Sequence, residues 1–472
     1  MRIFSIGLLF LATVGWARDP LVLTPQTVKE LLFSQGLGVQ LLEARRRAKE
    51  EDLPQIKSRF DTLLTLDGDH NIDQSARTST FFGRRTDTSR WNTGLEKLVP
   101  TGTTFGFRFL NEREETTGAS AVTGIPSQAT YEPILEFRLD QSLGENFLGR
   151  LDRAEVRRIK RAIEAQDFQT RHEINKLLKE ALAAYWEWAV AGEAVQNGRE
   201  ALTAARDFSK ITAEKEALGL VEPTDKLGAQ SLVAKRKALV SELESRALEW
   251  EARVKTILSL PPGLALRSGS ASPEFPKIDE AEAIRSSLKN RFDLKSFRQS
   301  LEEKDIQLVI AKNERLPTLD LKNTLQLNEV NTGDYAAAMG DMDSPNWTVA
   351  LQLKFPLENR GARGRKKQVE WERLQALLQV KQLEEAMIHD VAKKFRQAGL
   401  ARAALAEQEE AMALEKKKLR AALEEYQRAR FSAELILQYQ DDYLEARLAA
   451  LQARKGLALA LLALKEAMNK DL

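Results

Sequence analysis

The chain has no cysteine among its 472 residues. Disulfides, thiol catalysis, thiolate metal sites and lipid attachment through a cysteine are therefore excluded. Histidine is scarce. His70, His172 and His389 stand far apart, without the spacing of metal ligands, and are expected to face solvent. Net charge is only +2, so no global field draws the chain to nucleic acid or to an acidic partner. No P-loop, G-x-S-x-G or H-E-x-x-H motif is present. Beyond the N-terminal segment, no run approaches the roughly 18 apolar residues of a membrane-spanning helix. Proline is missing from Ile134 to Glu222 and again after Pro356. Those two gaps allow helices of unusual length.

What is present can pack: 43% of residues are hydrophobic and 30% charged, which excludes bulk disorder. The N-terminus reads MRIFSIGLLFLATVGWARDP. One arginine precedes an apolar run, and Gly15 and Ala17 stand at −3 and −1 of a cut after Ala17. That is the layout of a signal peptide over residues 1–17, and the chain is expected to be exported.

Two periods alternate along the remainder. A helical pattern runs from about Thr27 to Leu53 and is expected to stop at Pro54. From 55 to 142 the period becomes two: Phe105, Phe107 and Phe109 share one face, and Leu135, Phe137 and Leu139 oppose Glu136, Arg138 and Asp140. A helical pattern then fills 145–260, with Ala181, Trp188, Val195 and Leu202 at heptad spacing. It is interrupted only at GLVEPTD (219–225). Residues 263–278 are a Pro/Gly/Ser-rich connector. The same program then repeats over 279–472: a helix to about 315, strand alternation over 318–355, and a helical hairpin over 360–469. Val391, Ala398, Leu405, Met412, Leu419 and Tyr426 continue at heptad spacing, with a weaker break at RARFSAEL (428–435). The chain is thus a duplication, 18–262 and 279–472, of helix, strands, long helix, turn and returning helix.

A helix of about 70 residues is roughly 100 Å long at 1.5 Å per residue, which no compact domain needs. Its apolar seam is narrow, so neighbouring helices must lie along it. In an exported chain, strands with one apolar and one polar face suit a membrane barrel. One copy cannot close a barrel wide enough for a channel, and lipid tolerates no open sheet edge. Several copies must share one barrel. The competing reading is an exported periplasmic coiled-coil scaffold without a pore.

Taken in order, GLVEPTDKLGAQ (219–230), YQRARFSAELILQYQDDYLEAR (426–447), LPTGTTFGF and LKFPLENRGARGR resemble the hairpin tips and strand-to-helix joints of the TolC-type outer-membrane efflux protein family. The resemblance covers essentially the whole mature chain. It implies an α+β membrane protein: a homotrimer sharing an outer-membrane β-barrel, usually of about twelve strands, above a long periplasmic α-helical coiled-coil barrel. It implies no enzymatic activity and no cofactor or metal. It implies three partners: a periplasmic adaptor protein, an inner-membrane transporter and outer-membrane lipid. The function implied is a passive exit duct for a tripartite efflux pump or a type I secretion system.

On that resemblance the tips form the periplasmic gate. Tyr426 is expected to bond Asp225, beside Thr224, while Gly219, Leu220, Val221, Ala429 and Arg430 form the adaptor-docking tips. Tyr426 also falls in the heptad series, where it would simply pack, and Asp225 also sits where an acid stabilises a helix N-terminus. The sequence departs from the family where Ala429 replaces a common glycine and where Leu435 and Gln438 replace acidic pore positions. The longer first strand region could add two strands to the barrel or form a hairpin outside it. NRGARGRKK (359–367) reads as a solvated strand-to-helix joint, and Trp186 and Trp188 as wall packing.

Overall fold

The structure, a computed structural model, describes residues 20–76, 78, 83–119, 126, 128–269, 279–340, 342–428 and 430–469. Residues 1–17, read above as a signal peptide, most of the 263–278 connector and Ala429 lie outside the described residues.

The chain opens with β1 (Leu21–Leu23), α1 (Pro25–Gln35), α2 (Leu37–Glu50) and α3 (Asp52–Lys57). Four strands follow: β2 (Thr62–Asp73), β3 (Arg85–Leu98), β4 (Thr103–Thr117) and β5 (Thr130–Ser142). Then come α4 (Arg150–Ala217) and α5 (Pro223–Ile257). The second half holds β6 (Leu266–Ser268), α6 (Glu280–Asn290), α7 (Phe292–Asn313), β7 (Thr318–Asn328), β8 (Asn331–Thr332), α8 (Tyr335–Gly340) and β9 (Ser344–Lys354). It ends with α9 (Arg360–Gln427) and α10 (Ala433–Met468). The two long helices α4 and α9 have 68 residues each.

Two local expectations need correction. The helix read as 27–53 is broken at Gly36, and Pro54 does not end it. Pro54 lies in the first turn of α3, where a missing N–H leaves no hydrogen bond unmade. The helical stretch 279–315 is likewise two helices, because Arg291 is extended. No glycine or proline marks that break.

The chain divides into two compact units. The helical unit comprises residues up to Arg45, Gln169–Leu294 and Leu383 onward. Its largest core gathers α1, α2, the middle of α4, the end of α5 and Ala458 and Leu462 of α10. Tyr185 is wholly buried there, donating its hydroxyl to the Gly269 carbonyl at 3.1 Å. Trp186 and Trp188 are buried beside it, as packing residues. A two-stranded parallel sheet, β1 with β6, closes this core. It escaped the sequence reading because three-residue strands carry no readable period. The predicted seam of α4 is buried throughout: Ala181, Trp188, Val195 and Leu202 are all at or below 9% exposure. Exposed ion pairs such as Arg199–Glu244 (2.6 Å) and Arg447–Glu200 (2.6 Å) flank the seam. They add little beside it.

The second unit comprises Arg46–Phe168 and Lys295–Gln382. Its centre is one antiparallel sheet of six principal strands in the order β2-β3-β4-β5-β7-β9, with the short β8 paired to β5. The register sorts the side chains. Leu64, Leu95, Phe107, Phe137, Leu325 and Trp347 form one row crossing all six strands. The next row, on the opposite face, is Thr65, Gly94, Arg108, Glu136, Gln326 and Asn346. Ion pairs Arg90–Glu112 (2.9 Å) and Arg138–Glu96 (3.1 Å) lie on that polar face. The apolar face is bare: Leu66, Trp347 and Leu353 are 71%, 70% and 64% exposed.

The sheet meets the long helices at tight joints. Asn146 accepts from the Leu151 N–H at 2.9 Å and donates to Asp152 at 2.7 Å, starting α4. Asn359, just before α9, plays a different part: its amide donates to the Arg315 carbonyl at 3.0 Å, tying the start of α9 to the segment between α7 and β7. The basic stretch 359–367 is largely exposed, as expected of a solvated joint. Gly149 has φ +68°, and a Cβ there would lie 2.0 Å from the Pro100 carbonyl oxygen. The turn between β3 and β4 is therefore seated directly on the start of α4. Gly149→Ala must strain the backbone and push that turn away, at a cost of about 2 kcal/mol or more. A lowered urea midpoint of the detergent-solubilised protein is the expected reading, with Gly192→Ala, a mid-helix glycine whose added methyl meets nothing within 4 Å, as the control that holds or raises the midpoint.

Candidate functional site at the hairpin tips

The first tip is built by a helix that must stop within one turn. Gly219 takes φ +72°, and its N–H bonds the Glu216 carbonyl at 2.9 Å while the Leu220 N–H bonds that of Lys215 at 2.9 Å. These two bonds satisfy the last carbonyls of α4. Pro223 then opens α5. The Glu222 N–H donates to the Asp225 carboxylate at 3.3 Å, and the Thr224 hydroxyl donates to Glu222 at 3.3 Å. Lys226 pairs with Glu216 at 3.2 Å, tying α5 to α4. The apolar side chains Leu218, Leu220 and Leu227 are left exposed around the turn.

The second tip repeats the construction. The Arg430 N–H bonds the Glu425 carbonyl at 3.0 Å, the same six-residue closure as Leu220 to Lys215. Ser432 caps α10 by accepting from the Leu435 N–H at 3.3 Å. Arg430 is exposed, and Phe431 packs on Tyr439 at 5.8 Å between ring centroids.

A small core joins the two tips. It contains Phe208 of α4, Ala229 of α5, Ala422 and Tyr426 of α9, and Ala433 and Ile436 of α10. Tyr426 is 2% exposed, with its ring 5.2 Å from that of Phe208. The Thr212 hydroxyl already donates to the Phe208 carbonyl at 2.9 Å, so the Tyr426 hydroxyl donates to Thr212, at 3.3 Å. The Lys215 ammonium stands 4.1 Å from the centre of the Tyr426 ring and donates to the Tyr426 carbonyl. An ammonium held over an aromatic face and bonded to the same residue's backbone is a two-point grip.

Within one copy, none of the hydrogen bonds among the described residues joins Tyr426 to Asp225. Tyr426 is engaged by Thr212 and Lys215, and Asp225 caps its own helix. Sequence reasoning missed Phe208, Thr212 and Lys215. Their signal was available, since 205, 208, 212 and 215 extend the three-four spacing of the seam past Leu202.

Two charged groups farther along the hairpins are also buried. Arg236 of α5 donates to the Gln440 carbonyl at 3.3 Å and to Asp441 of α10, and burial holds its guanidinium below the usual range. His172 is half-buried, contrary to the solvent-facing expectation; His70 and His389 are exposed. Burial lowers the His172 imidazole below its ordinary value, outweighing the opposing pull of Asp293. For Asp293 itself burial pushes the carboxyl up, but hydrogen bonds from Arg291 at 3.0 and 2.5 Å bring it net below the usual range. Among the described residues no group of histidines and acids could hold a metal ion.

Truncation should separate packing from bonding at the tip. Tyr426→Phe loses one long neutral hydrogen bond, about 0.5–1.5 kcal/mol. Tyr426→Ala empties the core site and costs about 3–5 kcal/mol. Hydrogen exchange of the α4 and α9 ends should rise strongly in the second variant and little in the first. The His172 shift carries a sign for stability against pH. A depressed folded value means that the unfolded chain takes up the proton first, so stability is lost as pH falls below about 6.5. His172→Gln should flatten the decline in stability as pH falls below about 6.5, read by urea midpoints.

Residues 283–470 match the family model of the outer membrane efflux proteins. Comparison with curated protein sequences returns no match. Among solved structures, the chain is similar to the outer-membrane channel OprN, with TM-score 0.71 and 16% identity over 95% of this chain and 90% of that one. It is similar to the CmeC outer membrane channel of Campylobacter jejuni, with TM-score 0.67 and 14% identity over 94% and 85%. It is also similar to the outer membrane protein VceC of Vibrio cholerae, with TM-score 0.70 and 14% identity over 94% and 96%. By sequence over residues 283–470, and by fold over nearly its whole length, the chain resembles the outer membrane efflux proteins, a family of channels and not of enzymes.

Proposed function

We propose that three copies of this chain assemble side by side in the outer membrane as the passive exit duct of a tripartite efflux pump or a type I secretion system. Their sheets close into one barrel, and their helical hairpins form a tunnel that extends into the periplasm. The observation that carries this reading is the sheet: an apolar band crossing all six strands on one face, a polar opposite face, and two edges, β2 and β9, without partners among the described residues. No described helix is long and apolar enough to cross a membrane, which leaves the sheet as the element suited to lipid. A scaffold without a pore would leave the same apolar face in water, at about 25 cal/mol for each Å².

In this reading the tips are the periplasmic entrance. Leu218, Leu220 and Leu227, with Gly219 and Val221, offer an apolar surface to a periplasmic adaptor, and Ala429 and Arg430 of the second tip complete the docking residues. Tyr426, gripped by Lys215 and Thr212, keeps the second tip against the first. Asp225 and Thr224 hold the start of α5 in place beside it. An inner-membrane transporter supplies the energy, since the chain carries no nucleotide-binding motif.

Outer-membrane fractionation should recover a heat-sensitive trimer, and that trimer should conduct ions in planar bilayers. A soluble monomer would sink the duct. Releasing the grip by Lys215→Ala with Tyr426→Ala should raise single-channel conductance severalfold in correctly assembled trimers. Asp225→Ala should raise it less, because the carboxylate acts through its own helix start.

A further inference from the structure

The sheet contains more strands than the resemblance implies. A barrel of about twelve strands built from three copies needs four strands from each. This chain has six in one uninterrupted antiparallel order. The open question is whether the additional pair belongs to the wall or stands outside it.

Three observations place the pair in the wall. The strands are long enough, the shortest of the six having 11 residues. At about 3.4 Å per residue and a tilt near 45°, that length spans roughly 26 Å, the height of a barrel's apolar band. Second, the apolar row Leu64–Leu95–Phe107–Phe137–Leu325–Trp347 crosses β3 and β4 without changing face. A hairpin folded outside the wall would not keep its apolar residues in register with those of β5 and β7. Third, the β3–β4 turn is fastened at the strand-to-helix joint. The Thr103 hydroxyl donates to Gln141 at 2.6 Å, and Gly149 leaves no room between that turn and α4. The turn thus ends where β5 ends, at the same edge of the sheet.

The edges suit closure as well. Successive strands alternate in direction, so six strands place β2 and β9 antiparallel to each other when the edge of one copy meets that of the next. Nearly every residue of β2 and β9 is exposed, on both faces. Strand edges left bare in lipid would strand their backbone N–H and C=O groups.

We infer that β2 of each copy pairs with β9 of its neighbour, and that three copies, each giving six strands, close a barrel of eighteen. This rests on the trimeric duct proposed above. With strands about 4.8 Å apart and tilted about 40°, the backbone-to-backbone diameter rises from roughly 24 Å for twelve strands to roughly 36 Å for eighteen. The outer-membrane exit is then wide enough for a folded segment or a bulky solute, and the helical tips alone limit passage.

The absence of cysteine makes single-cysteine reporters clean. Leu95→Cys on β3, Phe107→Cys on β4 and Leu325→Cys on β7 are labelled with a fluorophore and reconstituted in phosphatidylcholine vesicles containing brominated lipid. Copy number is read separately by native mass spectrometry. Three copies, with all three positions quenched alike, support the inference. So do crosslinks between copies from Thr65→Cys paired in turn with Thr348→Cys, Ala350→Cys and Gln352→Cys. Three copies with position 325 quenched but 95 and 107 unquenched would overturn it, placing the hairpin outside a smaller wall and leaving the duct intact. Failure to enter vesicles, with position 325 unquenched and a single copy by mass, would overturn the inference and the duct together.

Discussion

The sheet carries an apolar band on one face, and its edge strands β2 and β9 find no partner among the described residues. Water penalises the apolar face, and lipid penalises the unpaired backbone at β2 and β9. In the proposed assembly, a closed wall of several copies removes both penalties at once. Asn146 caps α4, Asn359 ties the start of α9 to the Arg315 carbonyl, and the glycine at 149 lets the β3–β4 turn settle against the start of α4.

The helical hairpins follow a different rule. Their seams are rich in alanine and bury narrow stripes, so each helix depends on its neighbours along much of its length. Sharp reversals are needed to bring the returning helices alongside. At the first tip, glycine at φ +72° and proline at the next helix start achieve this in a few residues. Where the tips meet, the seam ends in polar contacts. Thr212 and Lys215 hold Tyr426 through its hydroxyl, its ring and its backbone carbonyl.

Much of this was readable in residue order. The long helices were visible because proline is excluded from them and because heptad spacing persists over many turns. The strands were visible because Phe105, Phe107 and Phe109 alternate so strictly with other residues. The tip turn announced itself through Gly219 and Pro223. Less was readable where the deciding interaction was nonlocal. The break at Arg291 has no sequence breaker. The β1–β6 sheet joins segments too short to carry a period. Tyr426 and Asp225 were expected to meet because of resemblance, yet each found a nearer partner: the carboxylate a backbone N–H three residues away, the phenol a hydroxyl on α4.

Composition and periodicity alone determined the recurring order of elements, the two-faced strands and the absence of thiol chemistry, because these depend only on which side chains are present and at which spacing they recur. Tertiary structure alone decided that all six long strands share one face, that the β3–β4 turn rests on Gly149, and that Thr212 and Lys215 are the residues gripping Tyr426. Register and contact between distant segments arise from pairing geometry, and no local period encodes which strand lies beside which.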